Sequence, residues 1–139
     1  MRGQAFSEGR ACEPDTTFLA SPRASILVVE DNPVLRLTAT LLLEEAGHVV
    51  HEALTGDEAL AMIEQSPRRY THLFTDIEMP GSIDGLRLAT LVSSLYDHIV
   101  VIVTSGDATK DVEAFQHCAR FIAKPWTPID ILNLVIPVP

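Results

Sequence analysis

From Ser25 onward the chain alternates apolar runs of strand length with stretches of helical period, and nothing else in it constrains the fold as strongly. "ILVVE" (26–30) is a continuous, β-branched-rich run that ends in acid. "PVLRLTATLLLEEAG" follows: Pro33 suits a first helical turn, apolar residues fall at 34, 37, 41 and 42, and Gly47 stands where a helix would stop. "HVVHEAL" predicts a second strand. "TGDEALAMIEQS" predicts a second helix, opened by Thr55 and Glu58 in capping-box spacing and ended by Pro67. "THLFTD" is a third strand, "DGLRLATLVSSLYD" a third helix with Leu88, Leu91, Val92 and Leu95 on one face, and "IVVIVTSG" a fourth strand. A fourth helix is expected around Asp107 to His117, then "ARFIAK" as a fifth strand and "TPIDILNLVI" as a short last helix. Strands alternating with helices make parallel βαβ units, and near-continuously apolar strands need cover on both faces. The expected fold is α/β, a five-stranded parallel doubly wound sheet.

At 139 residues the chain is long enough for one compact domain with a sizeable core. Residues 1–24 mix Gly, Pro, Ser and both charge signs without period and read as a disordered leader, leaving 25–139 as the folded domain. A formal charge of -9, with basic residues scattered, argues against direct DNA binding through a basic face. Cys12 and Cys118 have no paired spacing, which fits a reducing compartment. No run reaches the roughly 18 apolar residues of a membrane helix, and no export signal opens the chain. The expectation is a soluble, cytoplasmic protein with no membrane partner. The histidines at 48, 51, 72, 98 and 117 lack metal-ligand spacing and read as structural.

In such a sheet, functional groups gather beyond the carboxyl ends of the strands. The first strand ends in Glu30-Asp31, the third in Asp76, the fourth in Thr104-Ser105 and the fifth in Lys124-Pro125. Singly, each has a plain reading: Glu30-Asp31 as a helix cap, Asp76 as a turn initiator, Thr104 as a strand residue, Lys124 as a solvated charge. Together those readings fail, because two carboxylates about 4 Å apart repel by about 4 kcal/mol at an effective dielectric of about 20. A cation is expected among them. Mg²⁺ suits carboxylate oxygens and fills its other positions with water and phosphate oxygens. Lys124 adds a compact positive charge and Thr104 a hydrogen-bond donor, so the set suits a phosphoryl group carried on a carboxylate.

"ILVVEDNP", "FTDIEMPGSIDG", "VIVTSG" and "FIAKPW", in this order on this alternation, resemble the receiver domain of bacterial two-component response regulators, over residues 25 to about 136. The resemblance implies a flavodoxin-like strand order of 2-1-3-4-5. It implies that Asp76 is the phosphoacceptor, Asp31 a direct Mg²⁺ ligand, Glu30 a ligand acting chiefly through water, and the backbone carbonyl of Glu78 a further ligand. Thr104 would be the switch hydroxyl, Lys124 the phosphoryl-binding lysine, Phe121 the aromatic whose rotamer follows activation, and Lys124-Pro125 a cis peptide. Partners would be a sensor histidine kinase or a histidine phosphotransfer protein, and a downstream protein target, with a homodimer possible. The chain would be no enzyme toward external substrates, catalysing only its own phosphorylation and dephosphorylation.

Three features depart from the usual pattern or are incompletely specified, one of them Glu78, a further acidic side chain beside Asp76 that bears on the access of hydrolytic water. "MPGSIDG" is slightly longer than the common loop, with Gly81 and Gly85 allowing the turn, and the interval from Thr104 to Lys124 is short. With nothing after Pro139, the expectation is a single-domain regulator acting by protein contact through Trp126, Ile136 and Val138; Trp126 reads equally well as a core or hinge aromatic. Among rivals, an aspartyl-phosphate phosphatase would need Asp in place of Glu78 and a small-residue turn in place of Met79-Pro80. A flavin module would need a Ser/Thr/Gly-rich loop where Glu30-Asp31-Asn32 stands. A receiver-like interaction module that is never phosphorylated stays open.

Overall fold

A computed structural model of the chain describes residues 23–106 and 119–135. The expected fourth helix, residues 1–22 of the leader, both cysteines, Ile136 and Val138 lie outside the described residues. Among the described residues, five strands and four α-helices follow in order: β1 Ser25–Val29, α1 Pro33–Glu45, β2 Val49–Ala53, α2 Gly56–Gln65, β3 His72–Asp76, α3 Gly85–Leu95, β4 Val100–Ser105, β5 Arg120–Ala123 and a C-terminal helix Pro128–Leu132 that runs into a 3₁₀ turn, Asn133–Val135. The strands form one parallel sheet in the order β2-β1-β3-β4-β5. Arg23 and Ala24, assigned to the leader by composition, join this unit. Ala24 is buried, its carbonyl accepts from Val49 N–H, and its own N–H donates to His48 Nδ1.

Successive strand residues point to opposite faces, and this two-residue period divides the core. Leu27, Val29, Leu73, Val101 and Val103 face α2 and α3, packing with Ile63, Leu88 and Val92. Ile26, Val28, Phe74 and Ile102 face α1 and the C-terminal helix, packing with Ala39, Leu43, Ile131 and Leu134. Each fully buried Ile or Leu contributes about 1.5–3 kcal/mol relative to exposure, so both layers are needed to hold the sheet.

Two helices turn differently from the sequence expectation. In α1 the buried residues are Ala39, Thr40 and Leu43, while Val34, Leu37 and Leu41 are exposed, Val34 to 70%. In α3 the buried stripe is Gly85, Leu88, Ala89 and Val92, and Leu95 lies outside it, 60% exposed. The capping box of α2 is also modified: Thr55 accepts from Glu58 N–H, but Glu58 Oε1 reaches back to Leu54 N–H instead of the cap residue's own. Gly47, at φ 98°, ends α1 as expected.

Candidate functional site

Counting on by two from the apolar residues of the α1 face gives Glu30 after Val28, Asp76 after Phe74, Thr104 after Ile102 and Lys124 after Ile122. The pleat therefore carries all four toward one face at the carboxyl edge of the sheet, three of them from adjacent central strands. Asp76 and Thr104 are direct register partners on β3 and β4. Glu30, Asp76 and Thr104 are buried, whereas Asp31, next in line, is exposed.

Lys124 Nζ stands 2.7 Å from Asp76 Oδ2 and 2.8 Å from Glu30 Oε1. The contact to Glu30 is an ion pair without hydrogen-bond alignment, since Oε1 has no aligned donor among the described residues. Its sister oxygen, Oε2, accepts from Asn32 N–H at 3.1 Å. Burial raises the Glu30 pKa, as does the Asp76 charge, against the lowering pull of Lys124 and the Asn32 amide. For Lys124 burial works to lower the pKa, but the carboxylates of Asp76 and Glu30 beside it outweigh that effect and leave the ammonium held above its usual value.

Oxygens of Glu30, Asp31 and Asp76 lie within 4.8 Å of one another. Three hard carboxylate donors, one with a buried oxygen lacking an aligned donor, fit an oxygen-seeking divalent cation such as Mg²⁺. The helix-cap alternative for Glu30-Asp31 does not hold, because Asn32 caps α1, its Oδ1 accepting from Val34 and Leu35 N–H. Asp76 does shape the turn after β3: its Oδ1 accepts from Glu78 N–H at 3.2 Å. Glu78 itself has an exposed side chain.

The loop from Met79 to Asp84 is tied down at three points. Ile77 N–H donates to Thr104 O and Gly85 N–H to Ile77 O, each at 2.9 Å. Asp57, in the first turn of α2, accepts from Ser82 Oγ and from Ile83 N–H. Sequence reading missed Asp57, whose one signal was an acidic residue at a helix start, where capping normally explains it.

The Lys124-Pro125 peptide is cis. Just beyond it, Trp126 packs its ring 5.2 Å from Phe74 and donates its indole N–H to Thr104 Oγ1 at 2.8 Å. Sequence alone left Trp126 between a core and a contact role and gave no sign of this bond. Phe121, the register partner of Val103, lies half-buried on the opposite face, against the α2–α3 layer.

Such a rim, an acidic cluster with a lysine and a threonine at the ends of parallel strands, can hold and stabilise a phosphoryl group. The chain is 34% identical over 104 residues to the gliding motility regulatory protein of Myxococcus xanthus, covering 73% of this chain and 13% of that protein. It is 30% identical over 112 residues to the transcriptional regulatory protein SrrA of Staphylococcus aureus, covering 77% of this chain and 44% of that one. It thus spans less than half of either relative, and the transcriptional name of the second stands in tension with the expectation of no direct DNA binding. Among solved structures, a response regulator receiver domain protein of Clostridium thermocellum superposes with a TM-score of 0.72 at 26% identity, over 81% of this chain and 94% of that one. A CheY-like receiver domain protein of Methanospirillum hungatei gives 0.72 at 28% identity, over 80% and 89%. The family profile of the response regulator receiver domain matches residues 26–136, and the chain belongs to that family.

Proposed function

We propose that this receiver domain accepts a phosphoryl group on Asp76 from a histidine kinase or histidine phosphotransfer protein and signals by a change of surface to a protein partner. The observation that carries the reading is the contact of Lys124 Nζ at 2.7 Å from Asp76 Oδ2, beside two further carboxylates at the strand ends. An oxygen of Asp76 attacks the phosphorus of the donor's phosphohistidine; the P–N bond breaks as the O–P bond forms, and the imidazole leaves with the electron pair. Lys124 follows the charge onto a phosphoryl oxygen, and Thr104 donates to another. Positioning and electrostatic stabilisation account for such a transfer. A Mg²⁺ ion held by Glu30, Asp31, Asp76 and the carbonyl of Glu78 would, when bound, neutralise charge on the transferred group.

Thr104 then serves as switch hydroxyl, with Phe121 following on the output side, so that two states of one surface carry the signal. For the donor, α1 offers an exposed apolar stripe, Val34, Leu37 and Leu41, running away from the rim at helical spacing. On this reading the folded unit begins at Arg23, two residues earlier than the sequence expectation of 25–139, and the residues before it form a leader. The chain turns over no external substrate.

Intact-mass measurement after incubation with acetyl phosphate and Mg²⁺ tests the proposal. One phosphoryl mass should appear on the wild type and be absent from Asp76→Asn. Labelling that survives in Asp76→Asn would overturn the site, no labelling of the wild type would favour the interaction module, and steady turnover of a phosphate ester would revive the phosphatase.

A further inference from the structure

We infer that Trp126 is a positioning residue for the switch: its indole N–H holds the Thr104 hydroxyl in the resting state and must release it when a phosphoryl group is bound. The inference rests on the phosphoacceptor reading of Asp76 and concerns which aromatic side chain touches the hydroxyl.

Thr104 Oγ1 sits on a buried side chain and accepts from Trp126 Nε1 at 2.8 Å. The indole is fixed from two other sides. Its ring packs against Phe74 at 5.2 Å, and Lys124 Nζ lies 5.8 Å from its centroid, within cation–π range. Trp126 therefore touches both groups expected to move toward a phosphoryl oxygen, Thr104 by hydrogen bond and Lys124 by its ring. Phe121 stands on the other face of the sheet, paired with Val103.

A threonine oxygen can accept one bond and donate another. Donation toward a group on Asp76, on the neighbouring strand, draws the hydroxyl across the sheet and away from the loop after Lys124, stretching the indole bond. A bond made only at rest favours the resting state, and a neutral hydrogen bond of ordinary net strength shifts such an equilibrium about fivefold. Trp126→Phe keeps a ring against Phe74 and deletes the N–H alone. It should bind beryllium fluoride, a stand-in for the phosphoryl group, about fivefold more tightly in the presence of Mg²⁺ than the wild type does. In a Thr104→Val background the same substitution should leave that affinity unchanged, a coupling that loss of packing would not produce.

The chain has a single tryptophan, so a ¹⁵N-labelled sample gives one indole N–H cross-peak. Thr104→Val without any phosphoryl group should move that peak, and acetyl phosphate with Mg²⁺ should move the wild-type peak in the same direction, with the added mass measured on the same sample. Added mass with an unmoved peak, or equal or weaker beryllium fluoride binding by Trp126→Phe, would overturn the inference while leaving Asp76 as acceptor. No added mass on the wild type would overturn the phosphoacceptor reading, and the inference with it.

Discussion

Gly85 opens α3 in direct contact with Asp76, the proposed phosphoacceptor. A Cβ placed there would stand 1.5 Å from the backbone oxygen of Asp76 and 2.6 Å from its carbonyl carbon, and backbone has no rotamer to give. Gly85→Ala should lower the urea-unfolding free energy by about 3 kcal/mol or more. Gly106→Ala, whose added Cβ meets nothing nearer than Lys124 Cβ at 3.9 Å, should unfold within about 0.5 kcal/mol of the wild type; equal losses for the two would refute the steric account. The two loop glycines, legible only as turn formers, thus do different work. Gly81 has φ 111°, which a turn requires, while Gly85 provides a close approach that no one-dimensional pattern reveals. Thr40 shows a further residue-scale effect hidden from sequence. Its hydroxyl is buried in α1 with no partner among the described residues, so Thr40→Val, nearly the same shape without the orphaned donor, should raise stability by about 1 kcal/mol. A drop in the unfolding midpoint would count against it.

At the scale of elements, the loop after β3 depends on a helix that contributes nothing to the rim itself. Asp57 receives Ser82 Oγ and Ile83 N–H, and these bonds, the Ser82 hydroxyl foremost, lower its pKa. Asp57→Ala should accelerate hydrogen exchange at the Ile83 amide, and Asp57→Asn, which keeps one acceptor oxygen, should accelerate it less. An Ile83 amide exchanging at the wild-type rate in both variants would show that the loop is held from elsewhere. This anchoring holds the lengthened "MPGSIDG" segment, for which the sequence offered only Gly81 and Gly85 as turn formers. Strands β1, β3 and β4 were legible because they are buried on both faces and so read as apolar runs, whereas β2, VVHEA at the edge of the sheet, is mostly exposed or half-buried. The helix faces were less legible. In α1 an all-round scatter of leucines allowed two stripes, and packing chose Ala39 and Leu43, small and large, leaving Leu37 and Leu41 outside. The rim residues were legible as a set because each ends a strand, whereas the Trp126–Thr104 bond depends on the path of the chain after β5.

At the scale of the whole molecule, the histidines tie stability to pH. His72 opens β3 half-buried, beside Thr71 Oγ1, and its pKa falls from 6.5 to about 4, first through burial and then through the charges of Arg120 and His48. Burial likewise lowers His48, with Arg23 adding to it, and His51, with Arg69 adding to it. Above pH 6.5 His72 is neutral in both folded and unfolded chains and contributes nothing to the pH dependence. Between about 6.5 and 4 the unfolded chain takes up a proton that the folded one refuses, so stability falls as pH falls. With the ring only partly shielded from solvent, the loss by pH 5 amounts to about 1–2 kcal/mol. Glu30 acts in the opposite sense, because its raised pKa lets the folded chain hold a proton that the unfolded one has lost. The wild-type profile alone therefore mixes the two, and the His72 part appears as a difference. Urea unfolding of wild type and His72→Gln at pH 7.5 and pH 5 isolates it, since Glu30 is common to both proteins and cancels. The wild type should lose about 1–2 kcal/mol more than the variant on acidification; equal losses would mean that the ring is protonated in the folded state as readily as in the unfolded one.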